Sequence, residues 1–242
     1  IVSWIKSKRT NDKKTVKAVV ANQAADDMGI INFTTENILV DGTTYTAQQY
    51  TCRIAGILAG ISLVRSATYY ELPEIDSITE SETPNEDIDA GQLIIINDGE
   101  VHKIGRGVNS LTTVTAQQKA DYKKIKVVEA MDLIKDDVRD TYNKGYVGKV
   151  NNIYDNQILF VIAVNAYFDQ LEEDEILDPN FDNKSFIDAD AQRRAWESIG
   201  TDTSEMTDEE VLEMSFSSDV FLGGAIKTVD AMEDLKFIIL TV

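Results

Sequence analysis

Hydrophobic and polar positions along this chain change their period several times, and each change predicts a new element. Val16–Ala21 is a compact β-branched run bounded by polar residues, the pattern of a buried strand. Gly29–Phe33 and Asn37–Val40 predict two further strands, the second stopped by the turn pair Asp41-Gly42. From Thr46 the spacing becomes helical. Thr46 and Gln49 form a capping box, and Tyr50, Ile54, Ile57, Leu58 and Ile61 make one apolar stripe behind it. Ala55, Gly56, Ala59 and Gly60 give the same helix a small-residue face, which is expected to pack closely against another backbone in the core.

Residues 71–90 break this pattern. They hold two of the three prolines and eight carboxylates, so they read as a loop or linker and as the place for a domain boundary. Gly91–Val108 follows as a hairpin turning at Asn97-Asp98-Gly99. A second capping box, Thr115 with Gln118, predicts a helix to about Tyr142 with Val127, Met131, Ile134 and Val138 as its buried stripe. A third helix is expected from about Ile153 to Glu173. Its middle, Ile158–Phe168, is apolar on nearly every side, as a central helix would be. Thr207 with Glu210 opens a short helix, and Asp219–Val242 predicts two strands separated by the polar turn Asp230–Asp234.

Composition narrows the reading. Twenty-three basic against 42 acidic residues leave a net charge of −19 over 242 residues. Such a surface opposes binding to nucleic acid and to anionic membranes. The single cysteine, Cys52, excludes an internal disulfide framework and is expected to be buried among Ile54, Ala55 and Ile57. The longest apolar run is too short to span a bilayer, and no signal peptide opens the chain. Ile1–Lys14 has no Met and reads as an amphipathic helix already under way, so the sequence is expected to belong to a longer protein.

Candidate chemistry is sparse. Any Ser-His-Asp or Cys-His site would have to use the one histidine, His102, which the pattern places on a hairpin strand, exposed or half-buried. One His and one Cys make no zinc site. Asp178–Asp190 is rich in oxygen ligands but lacks the spacing, central Gly and closing Glu of a calcium loop. Gly105-Arg106-Gly107 reads as a glycine-relieved strand end. Nothing amounts to a catalytic signature, and no cofactor or metal is implied. An α/β hydrolase-like enzyme is the poorer alternative, since His102 would have to carry it.

Three stretches resemble a known family. Ala55–Leu72, with its Ala-Gly repeat leading into Ser66-Ala67-Thr68-Tyr69, resembles the helix and exit of contractile tail sheath proteins. Gly91–Thr113 resembles the hairpin that follows there, closing on Arg106-Gly107-Val108-Asn109-Ser110-Leu111-Thr112-Thr113. Val220–Val242 resembles the family's C-terminal strand pair with its Asp-Ala-Met-Glu turn. The similarity is to sheaths of Gram-positive myophage-like elements, prophages related to PBSX and contractile bacteriocins.

What the resemblance implies is mechanical. The fold expected is an α/β first part, a partial sheath domain over 1–90 with the acidic linker at 71–90, and an α+β C-terminal sheath domain over 91–242 with terminal β-strands. Subunits of this kind stack as hexameric rings around a tail tube, meet a baseplate, and contract to drive the tube through a cell envelope. The implied partners are other sheath subunits, tube and baseplate, with no nucleic acid and no membrane. The implied location is a virion or phage-tail-like particle assembled in the bacterial cytoplasm. A non-contractile tail or capsid protein is the nearer alternative. Terminal arms in this family lend strands to neighbouring subunits, which makes Leu235, Lys236, Phe237, Ile238, Ile239, Leu240, Thr241 and Val242 the expected intersubunit strand. Lys119, Lys123, Lys124 and Lys126 are the candidate tube-facing patch. The upstream arm of the family lies outside this sequence, so the chain is expected to be monomeric or weakly associated.

Overall fold

Strand β2 (Ile30–Phe33) is buried at every position, and the first half of the chain is organised around it. The computed structural model describes residues 1–116 and 119–240. They form two compact units: Ile1–Asp132 together with the segment from Asp230 onward, and Leu133–Val229.

In the first unit β1 (Ala18–Ala21) lies parallel to β2, with Ala18 opposite Ile30 and Ala21 opposite Phe33. On the other side β6 (Gln92–Leu93) pairs in parallel through Asn32 and Phe33. A strand between two parallel neighbours is covered on both faces, which is why its sequence is an unbroken apolar run but for Asn32. Ile30 meets Val20 and Ile5 of α1 (Val2–Thr10) on one face. Ile31 and Phe33 meet Tyr50, Ile54 and Ile57 of α2 (Ala47–Gly60) on the other. The buried Asn32 is satisfied by the Gln23 amide, which donates to its Oδ1 at 2.6 Å.

Smaller antiparallel elements surround this sheet. β3 (Glu36–Val40) pairs with β4 (Thr43–Tyr45) across a turn in which Asp41 and Gly42 both take positive φ, and with β5 (Ser77–Thr79) on its other edge. The hairpin of β7 (Ile95–Asn97) and β8 (His102–Ile104) follows the short helix α3 (Pro84–Asp89). Gly91, at φ +76°, lies so close to the Ser110 backbone that a Cβ there would come within 3.0 Å of it. Asn109, 1% exposed, donates to the Tyr122 carbonyl at 2.7 Å and accepts from the Leu111 amide at 3.0 Å. The Arg106–Thr113 stretch therefore stitches the hairpin to the start of the next helix.

That helix, α4 (Ile125–Gly145), follows a 3₁₀ turn at Ala120–Lys123. The expected helix from Thr115 is thus ten residues shorter at its start, and Gln118 of the expected cap lies outside the described residues. The second unit continues with α5 (Tyr154–Glu173), β9 (Lys184–Ile187), α6 (Ala189–Ser198), α7 (Asp208–Glu213) and β10 (Leu222–Ala225). β9 and β10 form an antiparallel pair, Ile187 opposite Leu222. Gln192, fully buried, donates to the Val211 and Met214 carbonyls at 2.6 and 2.9 Å and so holds the end of α7.

The mixed α/β class expected from the pattern is what the fold has, and the capping boxes at Thr46 and Thr207 both form. Several local expectations fail. Residues 71–90 are no free linker: Leu72 is fully buried, Ile75 nearly so, and the segment contributes β5 and α3. The small-residue face of α2 is exposed, and a Cβ at Gly56 or Gly60 would meet nothing. Cys52 is exposed because it sits opposite the Tyr50–Ile54–Ile57 stripe that turns inward. α5 is not wrapped all round, since Leu159 and Ile162 are each 58% exposed. Among the described residues no helix is long and apolar enough to cross a membrane.

The fold's dependence on β2 is open to measurement. Phe33→Ala removes a fully buried ring from the contact of sheet and α2, and is expected to cost about 3–5 kcal/mol in urea denaturation.

Candidate functional site

His102 and the oxygen-rich loop, the two candidate chemical features of the sequence, are committed to structure. His102 is buried, not half-exposed, because the hairpin folds back over Leu72–Ile75, and its Nδ1 lies 3.0 Å from the Ile75 carbonyl. The oxygen-rich loop after α5 spends its groups on itself. Asn183 donates to Glu172 Oε1 at 2.7 Å and to the Asp178 carbonyl at 2.9 Å, while Asp178 pairs with Lys227 at 2.8 Å. A cavity of about 790 Å³ in the second unit is lined by aromatic and amide groups such as Tyr142, Tyr146, Asn152, Gln157 and Phe160. Asp219 is its only carboxylate, and no His, Cys, Lys or Arg lines it.

The densest polar cluster lies in the first unit, around Glu233. The Ser66 and Thr68 hydroxyls donate to its Oε1 at 2.8 and 2.6 Å. Arg106 reaches its Oε2 at 2.9 Å and Lys124 at 3.1 Å. Arg106 also holds Asp234, and Lys124 holds Asp230. Thr68 Oγ1 in turn accepts from the Gly107 amide at 2.9 Å, so its hydroxyl hydrogen is free for the carboxylate. The Glu233 side chain is 7% exposed. Burial pushes its carboxyl up, but the Thr68 and Ser66 hydroxyls and the Lys124 ammonium outweigh that and hold it below the usual carboxylate range.

This cluster changes the reading of the basic patch. Lys126 is buried, 7% exposed, at the first turn of α4 and faces Asp230 and Glu233. Burial pushes its ammonium down. Lys124 is engaged by two carboxylates. Both face the chain's own tail, Lys126 buried and Lys124 half-buried. Lys119 is exposed and Lys123 half-buried, so the structure does not bring the four lysines together as one solvent-facing strip.

Immediately after the cluster the chain uncovers itself. Leu235, Phe237, Ile238, Ile239 and Leu240 are 90%, 74%, 85%, 71% and 86% exposed, and residues 231–240 belong to no helix or strand. Among the described residues the expected second strand of the C-terminal pair therefore does not form, and no partner strand lies beside the segment. Thr241 and Val242, the rest of the expected intersubunit strand, lie outside the described residues.

The second unit carries the complementary feature. β9 has its outer edge closed by an amide: the Ser185 N–H donates to Asn165 Oδ1 at 2.8 Å, and Asn165 Nδ2 donates back to the Ser185 carbonyl at 3.1 Å. Among the described residues β10 pairs with β9 on one side only, and beside it runs a groove of about 550 Å³ lined by Ile134, Val138, Phe160, Val164, Phe168 and Leu222. Sequence reading missed Ser66, Thr68, Arg106 and Glu233 as a set. Their only signal was that they lie in the three stretches that resembled one family.

Comparison with known proteins points the same way. The family profile described as phage tail sheath protein central domain matches residues 1–110, and that described as phage tail sheath C-terminal domain matches residues 117–239. The tail sheath protein of Clostridium phage phiCD119 is 40% identical over 238 residues, 98% of this chain and 66% of that protein. The crystal structure of a sheath tail protein from Desulfitobacterium hafniense superposes with a TM-score of 0.71 at 24% identity, over 78% of this chain and 46% of that one. The cryo-EM structure of the anti-feeding prophage helical sheath in its contracted state superposes with a TM-score of 0.61 at 12% identity, over 93% of this chain and 60% of that one. The two structural likenesses concern the fold, and the chain covers only part of the length of each relative.

Two measurements test the cluster. Lys126→Glu places a further carboxylate against Asp230 and Glu233 and is expected to cost about 1–3 kcal/mol, whereas Lys119→Glu leaves the melting temperature unchanged. The depressed Glu233 carboxyl adds stability that is complete above its ordinary value of 4.5 and is lost as pH falls below it through the lowered native value. The charged groups facing it are Arg106, Lys124, Lys126, Asp230 and Asp234. The difference in Tm between wild type and Glu233→Gln should be constant at neutral pH and close on acidification.

Proposed function

The chain belongs to the phage tail sheath family, and from that premise we propose that it is the greater part of a structural subunit that polymerises around a tail tube and contracts to drive the tube through a cell envelope. The observation that carries this reading is the apolar segment 235–240, which is left uncovered while β10 in the second unit keeps one edge unpaired. Exposed β-branched and aromatic residues in an extended run are an association surface, and main-chain pairing along a strand edge is the economical way to cover them. A segment from one copy laid along β10 of another would satisfy both at once. Alternate side chains such as Phe237 and Ile239 would then enter the groove beside β10.

Sheath subunits of other copies, a tube and a baseplate are the partners this function requires. Lys119 and Lys123 are the residues of the basic set through which tube contact can still be made. The particle would be a virion or a phage-tail-like body, assembled in the bacterial cytoplasm. The family is a structural one, and no feature of the site favours a catalytic reading over it. The division at residue 90 gives way in this proposal to one that follows the compact units, with the tail returning to the first.

The experiment is truncation after Asp234 in the full-length protein, followed by electron microscopy. The expected outcome is an unchanged melting temperature with loss of tubes of stacked rings. A truncated protein that unfolds would mean that the segment serves its own core. Intact tubes without the segment would remove it from the intersubunit contact.

A further inference from the structure

Ser66-Ala67-Thr68, Arg106–Thr113 and Asp230–Asp234 lie far apart in sequence and carry no catalytic chemistry, yet they meet at one carboxylate. We infer that Glu233 is the mechanical anchor of the C-terminal segment: the clamp around it fixes the tail to the first unit, so that tension on the chain beyond Asp234 is borne by that unit and not by residues 133–229. The source of tension rests on the sheath reading. The anchor itself rests on geometry.

Position is the first argument. The last backbone bond of the second unit near this point is donated by the Val229 amide to the Ile176 carbonyl. Asp230, the next residue, is already held by Lys124. Leu235, one residue past the clamp, is 90% exposed. Five residues thus separate the end of one unit from an uncovered tail, and three of them are carboxylates bound to the first unit.

The footing of the clamp is the second. Its donors come from three separate places, the loop after α2, the strand end after β8 and the start of α4. Each is tied to the core. Ala67 is buried, the Tyr69 amide donates to the Ile104 carbonyl at 2.8 Å, and the Ile125 amide donates to the Gly107 carbonyl at 2.9 Å. Gly107 completes the footing by allowing close approach, since a Cβ there would meet Ser66 Oγ at 3.1 Å and Ala67 Cβ at 3.3 Å.

Charge is the third. In a chain of net charge −19, a local match of Asp230, Glu233 and Asp234 with Arg106, Lys124 and Lys126 is a concentrated attraction. Because the Glu233 side chain is nearly out of water, removing its charge takes the buried partner away from Arg106 and Lys124 and leaves them only the more exposed Asp234 and Asp230. Met232 points fully into solvent.

The test is hydrogen exchange and electron microscopy on the full-length protein as wild type, Glu233→Gln and Gly107→Ala. The second variant displaces the Ser66 hydroxyl without touching any charge. The expected result is exchange at the amides of residues 68 and 107, which donate to the Ser66 and Thr68 hydroxyls of the clamp, at least about tenfold faster in both variants, with peptides of β2 and α2 unchanged. Sheaths assembled from Glu233→Gln should then fragment on contraction where wild-type sheaths stay whole. Unchanged exchange at residues 68 and 107, or variant sheaths as intact as wild type, would overturn the anchor and leave the sheath reading standing. A wild-type protein that forms no tubes would instead sink the sheath reading, and the role of the clamp under tension with it.

Discussion

A carboxylate taken out of water must be supplied with donors from the protein, and Glu233 is supplied by hydroxyls, a guanidinium and an ammonium drawn from three distant parts of the chain. The path of the tail depends on that requirement. Without these donors the segment 230–234 has little reason to lie on the first unit, because it buries almost no apolar surface. With them, the chain leaves its fold at a fixed place and in a fixed charge state at neutral pH.

The arrangement separates what is held from what is offered. Polar residues hold Asp230–Asp234, and the apolar residues that follow are uncovered. An exposed run of this kind is a hazard for any soluble chain, since unpaired strands pair with whatever edge they meet. The second unit deals with its own edges unequally. Asn165 closes the outer edge of β9 by mimicking a strand's donor and acceptor, while β10 keeps its outer edge and the apolar groove beside it. One edge protected and one left open is what directed pairing between copies requires, and it fits a protein whose family builds sheaths.

The same logic explains why motifs that look chemical in the sequence serve the architecture. Arg106, with glycines on both sides, suggests an anion site, and it does bind anions, but they are the chain's own Glu233 and Asp234. Asn109 and Ser110 are polar and buried because they join hairpin, β2 and α4 through backbone partners. Their polarity serves architecture.

What the sequence determined by itself is local: the capping boxes of α2 and α7, the turn after β3, the hairpin at Asn97–Gly99, the stripes of α2 and α4, and β2 as a strand, although the burial expected for Val16–Ala21 falls on β2 instead. Each depends on residues within a turn or two of one another, so periodicity and cap chemistry suffice. Tertiary structure alone decided that Cys52 and the small face of α2 are exposed, that Leu72 and Ile75 draw the acidic segment into a core, and that Lys124 and Lys126 belong to the tail. It also decided that Phe237–Leu240 pairs with no strand among the described residues. These outcomes turn on which distant surface arrives at a residue, and spacing along the chain carries no record of that. An apolar stripe requires burial without naming its cover, and a lysine on a helix requires a counter-charge or water without saying which.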